Sequence, residues 1–552
     1  MYRTDRSAVL DIETNLSHDT IWMAGVYYPS QNRSATCTTV EELHCALAGI
    51  DTVVGHNLLG FDLPVLKEVW QYDWNLDVVD TLVLSRLLEP SIDGGHSLRA
   101  WAERAGGSLK QDFDTADFDL GLTPKMEEYC IADCRANWDV YQLLLKLKDE
   151  LRFSDRSVAL EHDVRRITTL QESNGFEFDF PRACNLFNTQ TERMATITEE
   201  LQAVFPPIVE ARWSDKTGKQ LKDKVTIFNP GSREQVASRL TAKGAVWKEL
   251  TPTGKPKVDE TTLEQQAHVP EAGLVLEYLV LSKRSGMLRA WLDAMSDDGR
   301  IHGRVNTCGA ITGRMTHSKP NMAQIPSEAE YRECFVVAEG NKLVGVDASG
   351  LELRMLAHYM QDAEYTDLIL NGDIHTYNQN AAGLETRNQA KTFIYAFLYG
   401  AGNEKIGSIV GKGDRAGGKL KQTFLNSTPA LAKLIEKVKR MADKTGHLPG
   451  LDGRRVHVRS QHAALNTLLQ SAGAIVMKEA LVIAVSALED AGYPYQLVAQ
   501  VHDEFQIEVP EAYAERVGVV FRDAIRQAGE TLSLRCPLDG EYMIGDNWSH
   551  TH

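Results

Sequence analysis

No CxxC pair occurs in this 552-residue chain; its eight cysteines, Cys37, Cys45, Cys130, Cys134, Cys184, Cys308, Cys334 and Cys536, are scattered. That pattern excludes a disulfide framework and reads as reduced, mostly buried thiols of a cytoplasmic protein. An uninterrupted apolar run of membrane length is also missing, and Met1-Tyr2-Arg3-Thr4-Asp5-Arg6 leads directly into a strand. Secretion and membrane anchoring are therefore not expected. Internal repeats and low-complexity tracts are absent. Positive charge is in deficit, with a formal net charge of −17, so the chain cannot hold nucleic acid by bulk charge, although patches stay open. The apolar share of 43% and charged share of 24% leave no need for a disordered or fibrous reading. The length exceeds one core and suggests roughly three to five domains.

Against that acidic background, residues 211 to 244 form a basic island. Arg212, Lys216, Lys219, Lys222, Lys224, Arg233, Arg239 and Lys243 face only Asp215, Asp223 and Glu234, a net of +5. Such an island fits a phosphate-contacting surface or, equally, a solvated loop. The first 150 residues alternate strands (Ala8 to Glu13, Thr52 to His56) with a helix from Thr123 to Lys148 opened by Pro124, an α/β pattern. From about 155 to 296 the periodicity is mostly helical, interrupted from Trp213 to Gly231 by a polar, basic, Gly/Pro-punctuated stretch expected to be a loop or short insertion. Strands return after Ile301, a helix is expected from Leu351 to Met360, and a helical block leads to a long helix, Ala463 to Ala487, and a hairpin, Tyr495 to Val509, with the acidic pair Asp503-Glu504 at its turn.

Two short segments carry the chemistry. Val344-Gly345-Val346-Asp347 and Val498-Ala499-Gln500-Val501-His502-Asp503-Glu504 each end a β-rich run with a carboxylate. Two Asp on adjacent strand ends supply the hard oxygens that a magnesium pair needs. Either segment alone reads as an ordinary strand-end turn former. Between them, Thr386 is a candidate N-cap for a helix that stops at Gly400. Positions 387, 391, 395 and 399 drift only about 40° per step on a 3.6-residue helix. Arg387, Lys391, Tyr395 and Tyr399 therefore make one stripe of two cations and two aromatics, suited to a nucleoside triphosphate. Gly350 admits the turn from the first strand into a helix. Near the N-terminus, Asp11 and Glu13 are two apart on a strand, Asp62 follows in His56-Asn57-Leu58-Leu59-Gly60-Phe61-Asp62, and Tyr129 and Asp133 are one helical turn apart. Four carboxylates and a Tyr can hold two divalent ions and orient a water for phosphodiester hydrolysis.

These segments resemble motifs A, B and C of the family A (DNA polymerase I type) DNA polymerases. The wording of Asp347 to Leu353, Lys391 to Gly402 and Leu451 to Gly473 resembles in particular the replicative polymerases of T-odd podophages. The N-terminal set is similar to the DEDD 3′→5′ exonucleases of the DEDDy type. The resemblance implies a multidomain α/β and α+β fold, an RNase H-like exonuclease domain followed by a right-hand polymerase. It implies the exonuclease at 1–150, a thumb with connector at 155–296, the palm at 297–359 and 466–552, and the fingers at 360–465.

By the same resemblance Asp347 and Asp503 ligate two Mg2+ ions, with the Ala348 carbonyl assisting and Glu504 beside them in the catalytic set. Arg387, Lys391 and His375 hold the triphosphate, Tyr395 lies against the sugar, and Tyr399 near the templating position. Gly350 belongs to the nucleotide-binding segment, and Glu352 crowds the 2′ position. Arg314, Asn466, Gln470, Gln500 and His502 follow the primer-template minor groove, whose shared acceptors report pair shape while remaining largely sequence-blind. Tyr395, where some relatives carry Phe, implies weak rejection of dideoxynucleotides. Asp11, Glu13, Asp62 and Asp133 bind a second pair of Mg2+ ions, Mn2+ being a substitute at either site, and Tyr129 orients the water. With every acid present, proofreading is expected to be active.

The implied partners are primer-template DNA, dNTPs, and a phage helicase-primase and single-strand-binding protein, around a monomeric enzyme of the host cytoplasm with no membrane contact. No room before Ala8 is seen for a 5′ nuclease domain. The stretch Trp213 to Lys224 is too short for the thumb insertion that captures a thioredoxin clamp in some relatives, so no such clamp is expected. A single-subunit RNA polymerase or primase shares the two-Asp site, but Glu352, His502-Asp503-Glu504 and the editing set disfavour it. Intact acids at both sites disfavour a catalytically idle DNA-binding scaffold.

Overall fold

A computed structural model describes residues 6–106, 119 and 121–552; the opening residues 1–5 lie outside the described part. The chain divides into two compact units, one of Met1–Gly175, Gly303–Ile325 and Val337–His552, the other of Phe176–His302 and Pro326–Val336.

The larger unit begins with a five-stranded sheet in the order Arg33–Cys37, Ile21–Tyr28, Ser7–Thr14, Thr52–Gly55, Asp77–Asp80. The first three strands pair antiparallel and the last two join in parallel. Period-2 alternation sorts the first strand: Ala8, Leu10 and Ile12 enter one apolar cluster, while Val9 enters the cluster of the opposite face with Cys134, Val140 and Tyr141. Asp11 and Glu13 share the face of Val9, beneath the helix Pro124–Leu151, which Thr123 caps by accepting from the Met126 N–H.

The same unit contains a four-stranded antiparallel sheet in the order Gln496–Val501, Glu504–Pro510, Asn341–Ala348, Gly540–Gly545. Its core is built around the helix Ala464–Ala491, which contributes Leu468, Ile475, Val476, Leu481 and Val485. That helix is apolar and long enough to cross a membrane by composition, but 67% of its apolar window is buried within the protein. It is a core helix that carries Lys478 at its centre. The helix Asp155–Asn174, grouped by periodicity with the region up to 296, packs in this larger unit instead, because Leu160, Val164 and Ile167 join its apolar core, with Glu161 buried against Arg454 and Lys478.

The smaller unit is helical, with Phe180–Val204, Arg233–Ala242 and Pro270–Ala294 sharing a core of Ile197, Leu201, Val236, Leu240 and Val275. Here one expectation fails. The stretch Trp213 to Gly231, expected to be a loop or short insertion, holds the turn and second strand of a β-hairpin, Ile208–Trp213 paired with Gln220–Thr226. Every residue of the two strands except Thr226 is exposed. With both faces in solvent, no burial imprints the alternation that would reveal a strand, and the turn is closed locally by Gly218 at φ 63° donating to the Ser214 carbonyl.

Gly345 sits mid-strand where an added Cβ would meet the Thr551 carbonyl of the short helix Trp548–Thr551. Gly345→Ala should therefore cost about 1–3 kcal/mol through overpacking, read as a lowered Tm in a thermal melt.

Candidate active sites

The register of the four-stranded sheet brings the two key segments together. Asp347 lies directly opposite Glu504, and the Ala348 N–H donates to the Asp503 carbonyl at 3.0 Å. The chain reverses through His502 and Asp503, with His502 in the left-handed region at φ 57°. A two-residue reversal requires such a conformation. Glu504, expected at the turn with Asp503, instead opens the return strand.

The three acids differ in state. Asp347 is accessible at its strand end; crowding by surrounding protein, followed by repulsion from Asp503 and Glu504, pushes it up to about 7. Burial and then Glu352 raise Asp503. Burial would raise Glu504 too, but it accepts hydrogen bonds from Gln506 Nε2 and Trp548 Nε1 at 2.5 Å each and pairs with His552 Nδ1 at 2.9 Å, which hold it low. Two strained carboxylates and a strand-end carbonyl are a hard-oxygen donor set whose mutual repulsion a divalent cation would relieve, so the residues fit magnesium.

The helix Arg387–Leu398 is closed by a capping box between Thr386 and Gln389. It buries Ala390, Phe393, Ile394 and Leu398, which turns Arg387 and Lys391 outward and leaves Tyr395 half-buried on the same face. Tyr395 is raised by burial and then by Glu352, Asp503 and Asp347, so this face lies within electrostatic reach of the carboxylates. Arg387 Nε donates to Asp373 Oδ2 at 2.8 Å, and Asp373 also caps the helix Ile374–Ala382. Lys391 is exposed and makes no ion pair among the described residues. The His375 ring lies 6.4 Å from that of Tyr395, and its Nδ1 is buried without a hydrogen bond. Burial, then Arg387, lowers the His375 pKa.

Gly350, at φ 59°, caps the helix Leu351–Met360 that carries Glu352. Glu352 Oε1 accepts from the Tyr399 hydroxyl at 2.8 Å and lies 3.5 Å from Arg314 Nη2. Arg314, Gln500 and His502 line one small recess with Met315, Ala474, Met477 and Lys478. Gln500 Oε1 is buried there without a hydrogen bond. Asn466 and Gln470 are half-buried, one turn apart in the first part of the helix Ala464–Ala491. Sequence reasoning missed Asp373 as the holder of Arg387, and Trp548 and His552 as the holders of Glu504. No spacing links them, since Trp548 is 44 positions from its partner.

A second acidic cluster lies on the five-stranded sheet. Asp62 Oδ1 accepts from the Ile12 N–H at 3.1 Å, and burial, then Asp11, raises Asp62 well above the usual carboxylate range. Ligand atoms of Asp11, Glu13 and Cys130 lie within 4.8 Å of one another. Tyr129 and Asp133 are both buried on the helix above, and the Cys134 thiol is acted on by Asp11, Asp133 and Asp62 together. The four acids therefore share one electrostatic neighbourhood, in which Asp11 and Glu13 offer the close pair of carboxylates that fits a divalent cation. Cys130 was not anticipated; a lone thiol beside Tyr129 carries no signal until the helix is laid across the strand.

Comparison with known proteins follows the same lines. Residues 209–550 match the sequence family described as DNA polymerase family A. The chain is 33% identical to the DNA-directed DNA polymerase of Escherichia phage T7, over 99% of this chain and 100% of that protein. It is 34% identical to that of Enterobacteria phage T3, over 91% and 92%. Its fold matches a solved structure described as the POL domain of Pol1 from M. smegmatis in complex with DNA primer-template and dNTP. The TM-score is 0.83 and the identity 21%, with 99% of this chain and 96% of that one covered. The chain belongs to the family A DNA polymerases and resembles those of the T7 type.

Proposed function

We propose that this polymerase extends a primer 3′ end with deoxynucleotides by two-metal nucleotidyl transfer and edits with a 3′→5′ exonuclease, as the replicative polymerase of a phage. The observation that carries the reading is the meeting of Asp347 and Asp503 beside the helix face of Arg387, Lys391 and Tyr395. Asp347, Asp503 and the Ala348 carbonyl would hold magnesium, with manganese as a substitute. When bound, the cations supply a lowered pKa for the primer hydroxyl and charge compensation on the leaving pyrophosphate. Lys391 and Arg387 orient the triphosphate, Arg387 exchanging Asp373 for phosphate, and His375 adds an uncharged donor. Tyr395 packs on the sugar. Glu352, held by Tyr399, narrows the space at the 2′ position. Arg314, Gln500 and His502, with Asn466 and Gln470, follow the minor groove of the primer-template.

The strand order and mixed pairing of the N-terminal sheet support an RNase H-like editing domain, and the electrostatic neighbourhood shared by Asp11, Glu13, Asp62 and Asp133, with Tyr129 on the helix above, supports hydrolysis there. Thumb with connector, palm and fingers are proposed for 155–296, for 297–359 with 466–552, and for 360–465, the helix Asp155–Asn174 serving as the connector carried by the larger unit. The enzyme works in the host cytoplasm as a monomer alongside helicase-primase and single-strand-binding protein. In the basic island, Lys224 pairs with Glu210, Lys243 with Glu271, and Arg233 and Arg239 with the Val258 and Pro206 carbonyls. That leaves Arg212, Lys216, Lys219 and Lys222, exposed on the hairpin without ion pairs among the described residues, as the intrinsic grip on DNA.

Three outcomes test this reading. Asp347→Asn with Asp503→Asn should lower primer extension by about a thousandfold or more while leaving single-strand degradation intact, and Asp11→Ala with Glu13→Ala should do the reverse. Without metal, the raised Asp347 contributes stability that is full below its unfolded value of 3.8 and is lost as pH rises through about 7. Metal-free Asp347→Asn should accordingly gain more in Tm over the parent at pH 8 than at pH 4, as read by calorimetry. Neutralising Arg212, Lys216, Lys219 and Lys222 should reduce the slope of log K against log salt for duplex binding by up to about 4 and shorten extension products.

A further inference from the structure

Four paired side chains, Glu161, Asp452, Arg454 and Lys478, lie buried in the larger unit and belong to neither acidic cluster. Glu161 Oε1, on the helix Asp155–Asn174, accepts from Lys478 Nζ at 2.5 Å and from Arg454 Nη1 at 2.6 Å. Arg454 is also forked onto Asp452 through Nε and Nη2. None of the four is more than 4% exposed, and the charges balance as two acids and two bases. Burying such a set is expensive, and apolar residues of the same volume are often equally stable there, so stability alone is a poor reason for its presence.

What the two cations touch is the loop that delivers Arg314. Lys478 Nζ donates to the Thr307 carbonyl at 2.8 Å, at the start of the connection between the strands Arg304–Asn306 and Thr316–Ser318. Arg454 Nη1 lies where a Cβ on Gly313 would be only 3.0 Å away, and Gly313 stands at φ 77°. The loop is thus tied by a hydrogen bond at its first residue, and immediately before Arg314 its backbone runs close against the Arg454 guanidinium, leaving little space for a side chain at Gly313. Arg314 then reaches Glu352, which also holds Tyr399, and shares its recess with Lys478, Gln500 and His502.

We infer that Lys478 and Arg454, neutralised by Glu161 and Asp452, are positioning residues that set the loop 307–315 so that Arg314 bridges the nascent base pair and the Glu352–Tyr399 pair. They act through Arg314, and their role is discrimination between paired and mispaired primer ends. The inference rests on the polymerising function proposed above; extension by the parent enzyme reports on that reading separately.

The test is a double-mutant cycle. Lys478→Met with Glu161→Gln removes one charge of each sign, so no uncompensated charge is buried, and folding is checked by Tm and by single-strand degradation. The pair should reduce the ratio of kcat/KM for matched over mismatched primer ends by about tenfold, chiefly by losing kcat/KM on matched ends. In an Arg314→Ala background the same pair should change that ratio less than about twofold, because the cations have nothing left to position. Lys478→Arg, which retains the donor to Thr307, should restore most of the loss. Equal losses with and without Arg314, or an unchanged ratio accompanied by a lowered Tm, would overturn the inference and leave the cluster a structural one.

Discussion

The antiparallel register between Asn341–Ala348 and Glu504–Pro510 is the constraint on which the polymerising site depends. It sets Asp347 opposite Glu504 and ties Ala348 to Asp503, so carboxylates that lie far apart in an unfolded chain are held together at one sheet end despite their repulsion. Burial first, and then repulsion from neighbouring carboxylates, raises both Asp347 and Asp503. What offsets it is apolar burial along the rest of the strands, where Leu343, Val344, Val346, Phe505, Ile507 and Val509 are all at 1% exposure or less. The sheet is stable enough to hold a destabilised end, and that end is where a cation has most to gain.

Around this point the protein separates charges that are to stay fixed from charges that are to be used. Glu504 is saturated by Trp548, Gln506 and His552, Arg454 by Glu161 and Asp452, and Lys478 by Glu161 and the Thr307 carbonyl. Asp347 stays accessible and Lys391 unpaired among the described residues, while Arg387 is held only by a solvent-exposed Asp373 from which phosphate can take it. Exposed pairs of that kind are weak, and a triphosphate offers more charge at the same distance. The editing cluster follows a related logic. Asp62 is buried near Asp11, and the backbone N–H donors of Ile12 and Asp62 do not offset that burial, so a cation would stabilise its ionised form.

Several elements were legible because one local force dominates each. The helix Leu351–Met360 is bounded as read, and Arg387–Leu398 carries the expected cap at Thr386, because Gly350, Gly400 and a capping box punctuate the chain. The hairpin Ile208–Trp213 with Gln220–Thr226 escaped notice, its part from Trp213 onward being read as a loop or short insertion, because Val209, Trp213 and Val225 are exposed and leave no buried face to detect. Glu504 was misplaced by one position because a tight reversal at His502-Asp503 depends on a left-handed φ at a non-glycine residue, which composition does not announce.

By itself the sequence determined which side chains carry the chemistry, the stripe of Arg387, Lys391 and Tyr395, and the alternation that puts Asp11 and Glu13 on one face, since periods of 3.6 and 2 are properties of a single segment. Only the tertiary structure decided which carboxylates remain open, which are sealed, and that Glu161, Arg454 and Lys478 meet beneath the loop of Arg314. Those outcomes join positions up to 317 residues apart, and the free energy of a buried charge is set by the neighbours that surround it in space.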